Sequence, residues 1–486
     1  MSLAPRQHRG CNIETPIKFG TDGWRAVIAE DFTFDNVRVC AQATADYLNQ
    51  SGLASRGLVI GYDTRFASED FAAAVAEVAA GNGIKAYLCK KATPTPVISY
   101  GTMARGAGGA VIITASHNPG SWNGFKIKTQ NGTSVPPEVT TEVEKNIARL
   151  SRNGIKRVPI GDSVKLGLVE HVDLDSVYFE QMGKLVDLKG LSSKKMKIVV
   201  DPMHGAGMNY LQSLLSGGAL EVKQIAADRN PLFPDMERPE PIAGNLLALS
   251  AAVRAEKASV GLATDGDADR VGAVDENGMF LTTLQMYSLL CLYLLDVRKE
   301  RGLIVRTITT SVMLDRLGEI YGVPVRETPV GFKWVAPIMM KENAMIGGEE
   351  SGGYGFRGHV VERDGILASL YFLDFMARTG KKPSELLAYL YSKVGPHYFD
   401  RLDVKFPEAQ RQAIVNRVST HEPKELEGVK VLRIDTFDGF RFVLADTSWL
   451  LIRFSGTEPL LRIYAESSTP DRVQDFLQAG RKLAGV

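Results

Sequence analysis

The segment at residues 109–119, GAVIITASHNP, indicates the fold class of the first part of the chain. It opens with a short apolar run rich in β-branched side chains, which is typical of a strand buried on both faces. Similar runs at 57–63 (GLVIGYD) and 85–90 (KAYLCK) are separated by a helical pattern at 69–83. Strands that alternate with helices form parallel or mixed sheets covered by helices, so we predict an α/β domain here.

The same alternation recurs twice, beginning at residues 194–207 (KKMKIVVDPMHGAG) and 302–311 (GLIVRTITTS). The C-terminal part differs, because residues 430–467 are rich in strand patterns with short turns and are followed by one helical pattern. We therefore predict three related α/β domains with mixed sheets and a C-terminal α+β domain. The predicted domain ranges are 1–172, 173–281, 282–399 and 400–486.

The composition excludes several classes of partner. Among 486 residues, 57 lysines and arginines nearly balance 56 aspartates and glutamates, so no overall field favours nucleic acid or an anionic membrane. The four cysteines lie far apart without CxxC spacing, which favours a reduced compartment over a disulfide framework or a zinc ribbon. Without a long apolar run or a signal peptide, we expect a cytoplasmic protein that binds neither nucleic acid nor membrane.

Ser116 and His117 follow the strand pattern at 109–113 directly and raise the question of a nucleophile. A hydrolase would use the serine to attack an ester, whereas a structural interpretation is a simple turn. The hydrolase is disfavoured because adjacent residues seldom align as nucleophile and base, and the chain has no GxSxG motif. It also has no GxxxxGK[ST] motif, and Tyr210 replaces the third glycine of a dinucleotide fingerprint.

Three aspartates alternate in the segment 264–272, TDGDADRVG: Asp265, Asp267 and Asp269. Carboxylates this close repel one another unless a cation holds them, and oxygen ligands suit Mg²⁺ or Mn²⁺. The alternatives are a solvated acidic turn and an EF-hand loop, but the EF-hand requires glycine where this chain has Arg270. Arg270 beside a metal suits a shared anionic ligand such as phosphate, although a plain ion pair is the alternative.

Two later segments have the composition of ligand-binding loops, with ordinary turns as the alternative in both. The segment 453–459, RFSGTEP, offers one guanidinium, two hydroxyls and free backbone N–H groups to a phosphate. Its candidate contacts are Arg453, Ser455, Gly456 and Thr457. The segment 347–353, GGEESGG, places Glu349, Glu350 and Ser351 between paired glycines, which suits hydrogen bonding to sugar hydroxyls.

The four segments together resemble the α-D-phosphohexomutases, the family of phosphoglucomutase, phosphomannomutase and phosphoglucosamine mutase. TASHNP resembles the family's phosphoserine loop, DGDADR its metal loop, GEESGG its sugar loop and RFSGTEP its phosphate loop. The resemblance begins at KFGTDGWR (18–25) and extends over nearly the whole chain. It implies four domains around a central cleft, with the last domain as a lid.

The resemblance also implies the chemistry. Ser116 would carry a phosphate and hand it to a sugar monophosphate, and the resulting bisphosphate would turn around and return its other phosphate. This reaction isomerises glucose 1-phosphate and glucose 6-phosphate. The implied cofactors are Mg²⁺, held by Asp265, Asp267, Asp269 and a phosphoserine oxygen at Ser116, and glucose 1,6-bisphosphate as primer. The implied partners are sugar phosphates, and the expected assembly is a monomer or a homodimer.

The site residues carried over from the family fall into two groups. Those implied to be catalytic are Arg25, Ser116, His117, Lys126 and Arg270. Those implied to bind substrate are Lys333, Glu349, Ser351, Arg453, Ser455, Gly456 and Thr457.

The chain departs from part of the family at the end of the sugar loop. Mannose-handling and glucosamine-handling relatives usually have histidine where this chain has Gly353, and segments such as ETPVGFKWV (327–335) resemble glucose-preferring members. We therefore expect a phosphoglucomutase, with mixed glucose/mannose activity, a phosphoglucosamine mutase or a silent sugar-phosphate-binding homologue as alternatives. Lys126 is the candidate for proton management in place of the histidine, with His117 and His359 as alternatives. The direction of its pKa shift stays open, since nearby cations lower it and carboxylates raise it.

Overall fold

The first domain is a mixed six-stranded sheet covered by helices. The computed structural model describes residues 17–20, 22–150, 154–454 and 460–486. The strands are β1 Trp24–Val27, β2 Leu58–Tyr62, β3 Ala86–Cys89, β4 Gly109–Ile113, β5 Trp122–Thr129 and β6 Val169–Val172. Their order is β1-β5-β4-β2-β3-β6, and β5 runs antiparallel to both of its neighbours. The helices are α1 Phe34–Gln50, α2 Ser68–Gly81, α3 Thr95–Arg105, α4 Pro137–Arg149 and α5 Ile160–Lys165.

The second domain repeats this plan with a smaller sheet. The helices α6 Asp175–Leu185 and α7 Leu188–Ser192 lead into it. Its strands are β7 Lys197–Asp201, β8 Glu221–Gln224, β9 Val260–Thr264, β10 Val271–Val274 and β11 Phe280–Leu281, in the order β11-β10-β9-β7-β8. The remaining helices are α8 Tyr210–Leu214 and α9 Leu247–Glu256.

The third domain has four strands and the longest buried helix. Its strands are β12 Ile304–Thr307, β13 Val325–Thr328, β14 Ile346–Gly348 and β15 Tyr354–Phe356, in the order β13-β12-β14-β15. Its helices are α10 Thr283–Leu292, α11 Met313–Tyr321, α12 Phe332–Glu342, α13 Gly365–Thr379 and α14 Pro383–Val394. Most of α13 is buried, and its first turn is capped by Asp364, whose carboxylate accepts the backbone N–H groups of Ile366 and Leu367.

The three α/β sheets share one topology. Each contains three parallel strands followed by one antiparallel strand, in the orders β3-β2-β4-β5, β8-β7-β9-β10 and β13-β12-β14-β15. The segments that connect β4 to β5, β9 to β10 and β14 to β15 therefore occupy equivalent positions, at the carboxyl end of the last parallel strand. They carry Ser116, the three aspartates and the sugar-loop glutamates. The predicted α/β class with three related domains is confirmed.

The fourth domain is an antiparallel sheet with two helices. Its strands are β16 Tyr398–Lys405, β17 Glu425–Leu426, β18 Val429–Asp435, β19 Phe440–Leu444, β20 Trp449–Phe454 and β21 Leu460–Ser467, in the order β16-β21-β20-β19-β18-β17. The helix expected at the C-terminus is present as α16, Pro470–Ala484. A second helix, α15 Arg411–Thr420, was missed by the sequence pattern, because only Ile414 and Val418 of its residues are buried.

An apolar patch joins the fourth domain to the third. Trp449, Leu451 and Tyr464 from the fourth sheet pack with Ile308, which follows β12. The exact limits of the four domains stay a prediction. Within the described residues, no helix combines the length and the apolar character needed to cross a membrane.

Candidate active site

The segment TASHNP (114–119), here called the serine loop, is in direct contact with the metal loop, DGDADR (265–270). Ser116 Oγ lies 3.0 Å from Asp265 Oδ2, although the two residues are 149 positions apart. The backbone of Gly266 passes so close that a Cβ there would lie 2.6 Å from the carbonyl oxygen of Ser116, which explains why glycine occupies this position. The structure therefore brings Ser116 and the aspartate cluster together, and their sharing of a metal ion stays a prediction.

A buried arginine that the sequence interpretation missed holds the serine loop in place. The guanidinium of Arg65 donates to the backbone carbonyls of Ser116, Asn118, Pro119 and Trp122 at 2.6–3.0 Å. Its own charge is paired with Asp63 at 3.1 Å. Because each donor satisfies a carbonyl within one tight turn, the position of Ser116 is fixed before any ligand binds. The backbone of Ser116 adopts φ = 53°, a left-handed conformation that such bracing stabilises.

The carboxylates of Asp265, Asp267 and Asp269 form a fully buried cluster whose ligand atoms lie within 4.8 Å of one another. Among the described residues, Oδ1 of Asp267 accepts no hydrogen bond, and the oxygens of Asp269 face the cations of Arg363, Lys126 and Arg270 without a well-aligned hydrogen bond. Burial and the charges of Asp269 and Asp267 raise the pKa of Asp265 well above its usual value. Buried, unsatisfied carboxylate oxygens are costly, and this donor set fits a hard divalent cation such as Mg²⁺. The cluster could therefore hold a metal.

Lys126 connects the first domain to this cluster. Its ammonium lies 2.9 Å from Asp267, 3.6 Å from Asp269 and 2.8 Å from Asp22, with 1% of the side chain exposed. Although burial disfavours the charged form, Asp22, Asp267 and Asp269 raise the pKa of Lys126 above its ordinary value. The sequence left the direction of this shift open. In the structure the carboxylates dominate, so Lys126 is a cation.

Arg363 occupies the space that Gly353 leaves beside the sugar loop. A Cβ on Gly353 would lie 2.5 Å from Cδ of Arg363. The Arg363 guanidinium lies 3.0 Å from Asp269, 2.8 Å from Asp22 and 3.5 Å from Glu349. One arginine therefore connects the metal loop, the KFGTDGWR segment and the sugar loop.

The remaining predicted catalytic residues surround Ser116. Arg25 donates to Asn118 Oδ1 at 2.8 Å, and Arg270 lies within 3.8 Å of Asp265 and Asp269. His117 Nδ1 is 3.3 Å from Ser116 Oγ. Partial burial, with the charges of Arg270 and Arg25, lowers the pKa of His117 well below its usual value, which favours the neutral imidazole.

Not every predicted residue is joined to this cluster. In the described part of the chain, the ammonium of Lys333 lies 5.5 Å from the centre of the Trp334 ring, and Ser351 makes no hydrogen bond to the cluster. Arg453 is paired with Asp438 of its own domain at 2.9 Å. Ser455, Gly456 and Thr457 lie outside the described residues. His359 is buried, its Nε2 donates to Asp364 Oδ2 at 3.0 Å, and its ring stacks on Tyr100.

Sequence reasoning missed the buried partners of the site. These are Asp22, Asp63, Arg65, Thr95, Glu240, Glu362 and Arg363. Asp22 lies in the segment KFGTDGWR quoted above, and Arg363 lies in the segment 361–370, VERDGILASL. A buried charge has no local signature, since its partner is far away in sequence, so only the clustering of charged residues beside apolar strand patterns could have indicated them.

The comparisons with known proteins agree with this geometry. Four domain families, described as domains I, II and III and the C-terminal domain of phosphoglucomutase/phosphomannomutase, match residues 16–153, 176–278, 284–394 and 404–482. Phosphoglucomutase/phosphomannomutase of Thermococcus kodakarensis is 33% identical over 465 residues, which cover 96% of this chain and 98% of that protein.

Other similar proteins have different substrate names. A probable phosphoglucosamine mutase of Methanosphaera stadtmanae is 31% identical over 95% of this chain and 96% of its own length. The crystal structure of a Thermus thermophilus protein, provisionally named phosphomannomutase, has a TM-score of 0.85 and 36% identity over 97% of this chain and 99% of that one. The names agree on the reaction class and differ in the sugar.

Proposed function

The chain belongs to the phosphoglucomutase/phosphomannomutase family, and we propose that it interconverts glucose 1-phosphate and glucose 6-phosphate. The reaction would pass through a phosphoserine at Ser116 and a bound glucose 1,6-bisphosphate. The observation that carries this proposal is the contact of Ser116 Oγ with Asp265 at 3.0 Å, inside a cluster of three carboxylates and several cations. Phosphoryl transfer depends mainly on positioning and charge neutralisation, and these residues supply both.

The proposed reaction has two transfers that are each other's reverse. A hydroxyl oxygen of the sugar monophosphate attacks the phosphorus on Ser116, the P–Oγ bond breaks and a new P–O bond to the sugar forms, and the hydroxyl proton ends on the departing Ser116 Oγ. The bisphosphate then turns around, Ser116 Oγ attacks the other phosphorus, the P–O bond to the sugar breaks, and the proton of the serine hydroxyl ends on the sugar oxygen. Arg25, Arg270 and Lys126 lie around Ser116 and would neutralise the phosphate oxygens.

Asp265, Asp267 and Asp269 would hold Mg²⁺. Bound there, the cation would act as a Lewis acid toward phosphate oxygens next to Ser116. Thr95 orients this ligand set, since its hydroxyl donates to Asp267 Oδ2 at 2.6 Å. Lys126 balances the same carboxylates from the side of the first domain.

Lys126 acts in this proposal as a charge stabiliser rather than as a general base. Its ammonium is surrounded by three carboxylates at 2.8–3.6 Å, so its hydrogen-bond donors are already directed at acceptors. At the usual histidine position, the stem of Arg363 lies beside Gly353. The guanidinium of Arg363 thus lies near Glu349, where mannose-handling and glucosamine-handling relatives usually have a histidine.

Glucose is the proposed sugar because Gly353 and the flanking segments resemble glucose-preferring members. The second candidate is a mutase with a different or broader sugar range, which the names of the relatives favour: phosphoglucomutase/phosphomannomutase and probable phosphoglucosamine mutase. Comparing kcat/KM for the 1-phosphates of glucose, mannose and glucosamine distinguishes them. A glucose preference below twofold would contradict a dedicated phosphoglucomutase.

Ser116→Ala tests the proposed reaction itself. The wild type, incubated with glucose 1,6-bisphosphate and Mg²⁺, should gain the mass of one phosphate and turn over glucose 1-phosphate, whereas Ser116→Ala should do neither. Ser121→Ala, at an exposed serine of the same connection, is the matched control and should behave as wild type. Full mutase activity in Ser116→Ala would refute the phosphoserine mechanism, and a wild type that binds sugar phosphate without turnover would indicate a silent homologue.

A further inference from the structure

The fourth sheet presents one row of residues to the third domain. In the strand register, Arg401 on β16 is opposite Tyr464 on β21, Tyr464 is opposite Leu451 on β20, and Leu451 is opposite Arg441 on β19. Cross-strand partners project from the same face of a sheet. The four side chains therefore form a continuous row, with an arginine at each end and apolar residues in the middle.

Both terminal arginines pair with carboxylates of the third domain, but in different ways. Arg441 contacts both oxygens of Glu327 with 5% of its side chain exposed, and Arg306 shares that glutamate. Arg401 makes one hydrogen bond of 2.9 Å to Glu350, with 36% and 16% of the two side chains exposed. The Arg441 end is a buried, two-point anchor, whereas the Arg401 end is a contact that water can replace.

Glu350 lies inside the sugar loop, between Glu349 and Ser351. The backbone of this loop is held from other elements, because Thr283 donates to the carbonyl of Glu350 at 2.5 Å and Val271 N–H donates to the carbonyl of Gly352 at 3.0 Å. Glu349 points to Arg363, and Glu350 points to Arg401. The loop is thus bound by the catalytic cluster on one side and by the fourth domain on the other.

The row also lies next to Arg453, the first residue of the predicted phosphate loop. Arg453 follows Leu451 by two residues on β20, so it projects from the same face one row further along. In that row Arg453 is opposite Arg462, and Arg462 is opposite Asp403, which pairs with Arg401 at 3.0 Å. Movement of the fourth domain therefore shifts Arg453 and the Arg401–Glu350 contact together.

We propose that Arg401 is a positioning residue, which couples the placement of the fourth domain to the sugar loop through Glu350. The proposal rests on the proposed function and on the family resemblance of the phosphate loop, by which Arg453 of the fourth domain would hold the phosphate that does not react. When the Arg401–Glu350 ion pair is formed, the fourth domain is closed over the sugar loop. The ion pair breaks while the bisphosphate turns around. The Arg441–Glu327 anchor keeps the domain attached throughout.

Hydrogen exchange tests the coupling without any substrate. We would measure amide exchange in peptides covering residues 347–353 for wild type, Arg401→Ala, Glu350→Gln and the double variant. An exposed ion pair of ordinary strength predicts that each single change speeds exchange by about 1.4- to 5-fold. The double variant should be no faster than the faster single variant. Arg472→Ala is the matched control, because that arginine pairs with Asp446 within the fourth domain, and it should leave exchange unchanged.

The release of bisphosphate tests the consequence for turnover. Arg401→Ala should release free glucose 1,6-bisphosphate about 1.4- to 5-fold more often per turnover than wild type. Arg401→Lys should release it less often than Arg401→Ala but more often than wild type. Arg472→Ala should release it as often as wild type. Unchanged exchange in the sugar loop, additive effects in the double variant, or a higher KM without more release would each overturn the proposal. If wild type turns over no hexose phosphate, the proposed function fails, and the exchange experiment still decides whether Arg401 and the loop are coupled.

Discussion

Replacing Glu466 by glutamine is expected to stabilise the protein increasingly as the pH rises. Glu466 lies on β21, in the interface between the third and fourth domains, and is fully buried. Its Oε1 accepts the backbone N–H of Val312 at 3.2 Å, and its Oε2 accepts no well-aligned hydrogen bond within the part of the chain that the structure describes. His397 Nε2 is 4.0 Å away. Burial raises the pKa of Glu466 from 4.5 to about 8, although the hydrogen bonds from Ser311 and Val312 and the charge of Arg306 oppose this shift.

The sign of the effect follows from proton binding. Between pH 4.5 and about 8 the folded protein holds the Glu466 proton more tightly than the unfolded chain does, so stability falls as the pH rises through this window and levels off above it. At about 1.36 kcal/mol for each pKa unit, the loss between pH 5.5 and 9 is at most about 3 kcal/mol. Glutamine resembles the protonated carboxyl in shape and has no proton to lose, so the variant escapes this loss.

The assay is thermal unfolding of wild type and Glu466→Gln from pH 5 to 9. We expect nearly equal stability at pH 5.5 and a growing advantage of the variant up to pH 8, with no further change above. Glu425→Gln, at an exposed position of the same domain, is the control and should show no such trend. A constant difference between the two proteins, or a variant that becomes less stable as the pH rises, would mean that Glu466 is ionised and paired with Arg306 in the folded protein.

Three further predictions concern the site. Exhaustive chelation should abolish mutase activity and Mg²⁺ should restore it, and Asp267→Asn should require more Mg²⁺ for half-maximal rate; full activity in chelated protein would contradict the metal assignment. Lys126→Met should destabilise the protein by about 3–5 kcal/mol, because it leaves buried carboxylates unpaired. It should also reduce the mutase rate, whereas Lys126→Arg should keep part of that rate; a wild-type rate in Lys126→Met would exclude the electrostatic role. Arg453→Ala should raise KM for glucose 1-phosphate and glucose 6-phosphate alike, since a uniform phosphate anchor serves both orientations; an effect on one substrate alone would refute that role.

The sequence by itself determined the class of the fold and the chemistry of its loops. Apolar runs such as 109–113 and the strand-rich segment 430–467 are local patterns. They can be recognised in the sequence because a strand buried on one or both faces requires a particular order of apolar and polar side chains. The spacing of Asp265, Asp267 and Asp269 is equally local, so the order of residues alone predicts the candidate metal site. The weakly apolar helix α15 could not be predicted in this way, since only two of its residues face the core.

Only the tertiary structure decided which charges meet. Asp22 and Arg363 are 341 positions apart and lie 2.8 Å from each other, and Lys126 reaches Asp267 across 141 positions. Asp22 precedes β1, Lys126 lies on β5, Asp267 follows β9 and Arg363 lies between β15 and α13. These pairs exist because the domains that carry these elements pack together, and no local propensity encodes such a meeting. The same holds for Arg401 and Glu350, whose contact depends on the register of β16 against β21 and on the docking of the fourth domain on the third. Local patterns depend on neighbouring residues, whereas a buried pair depends on the packing of whole domains.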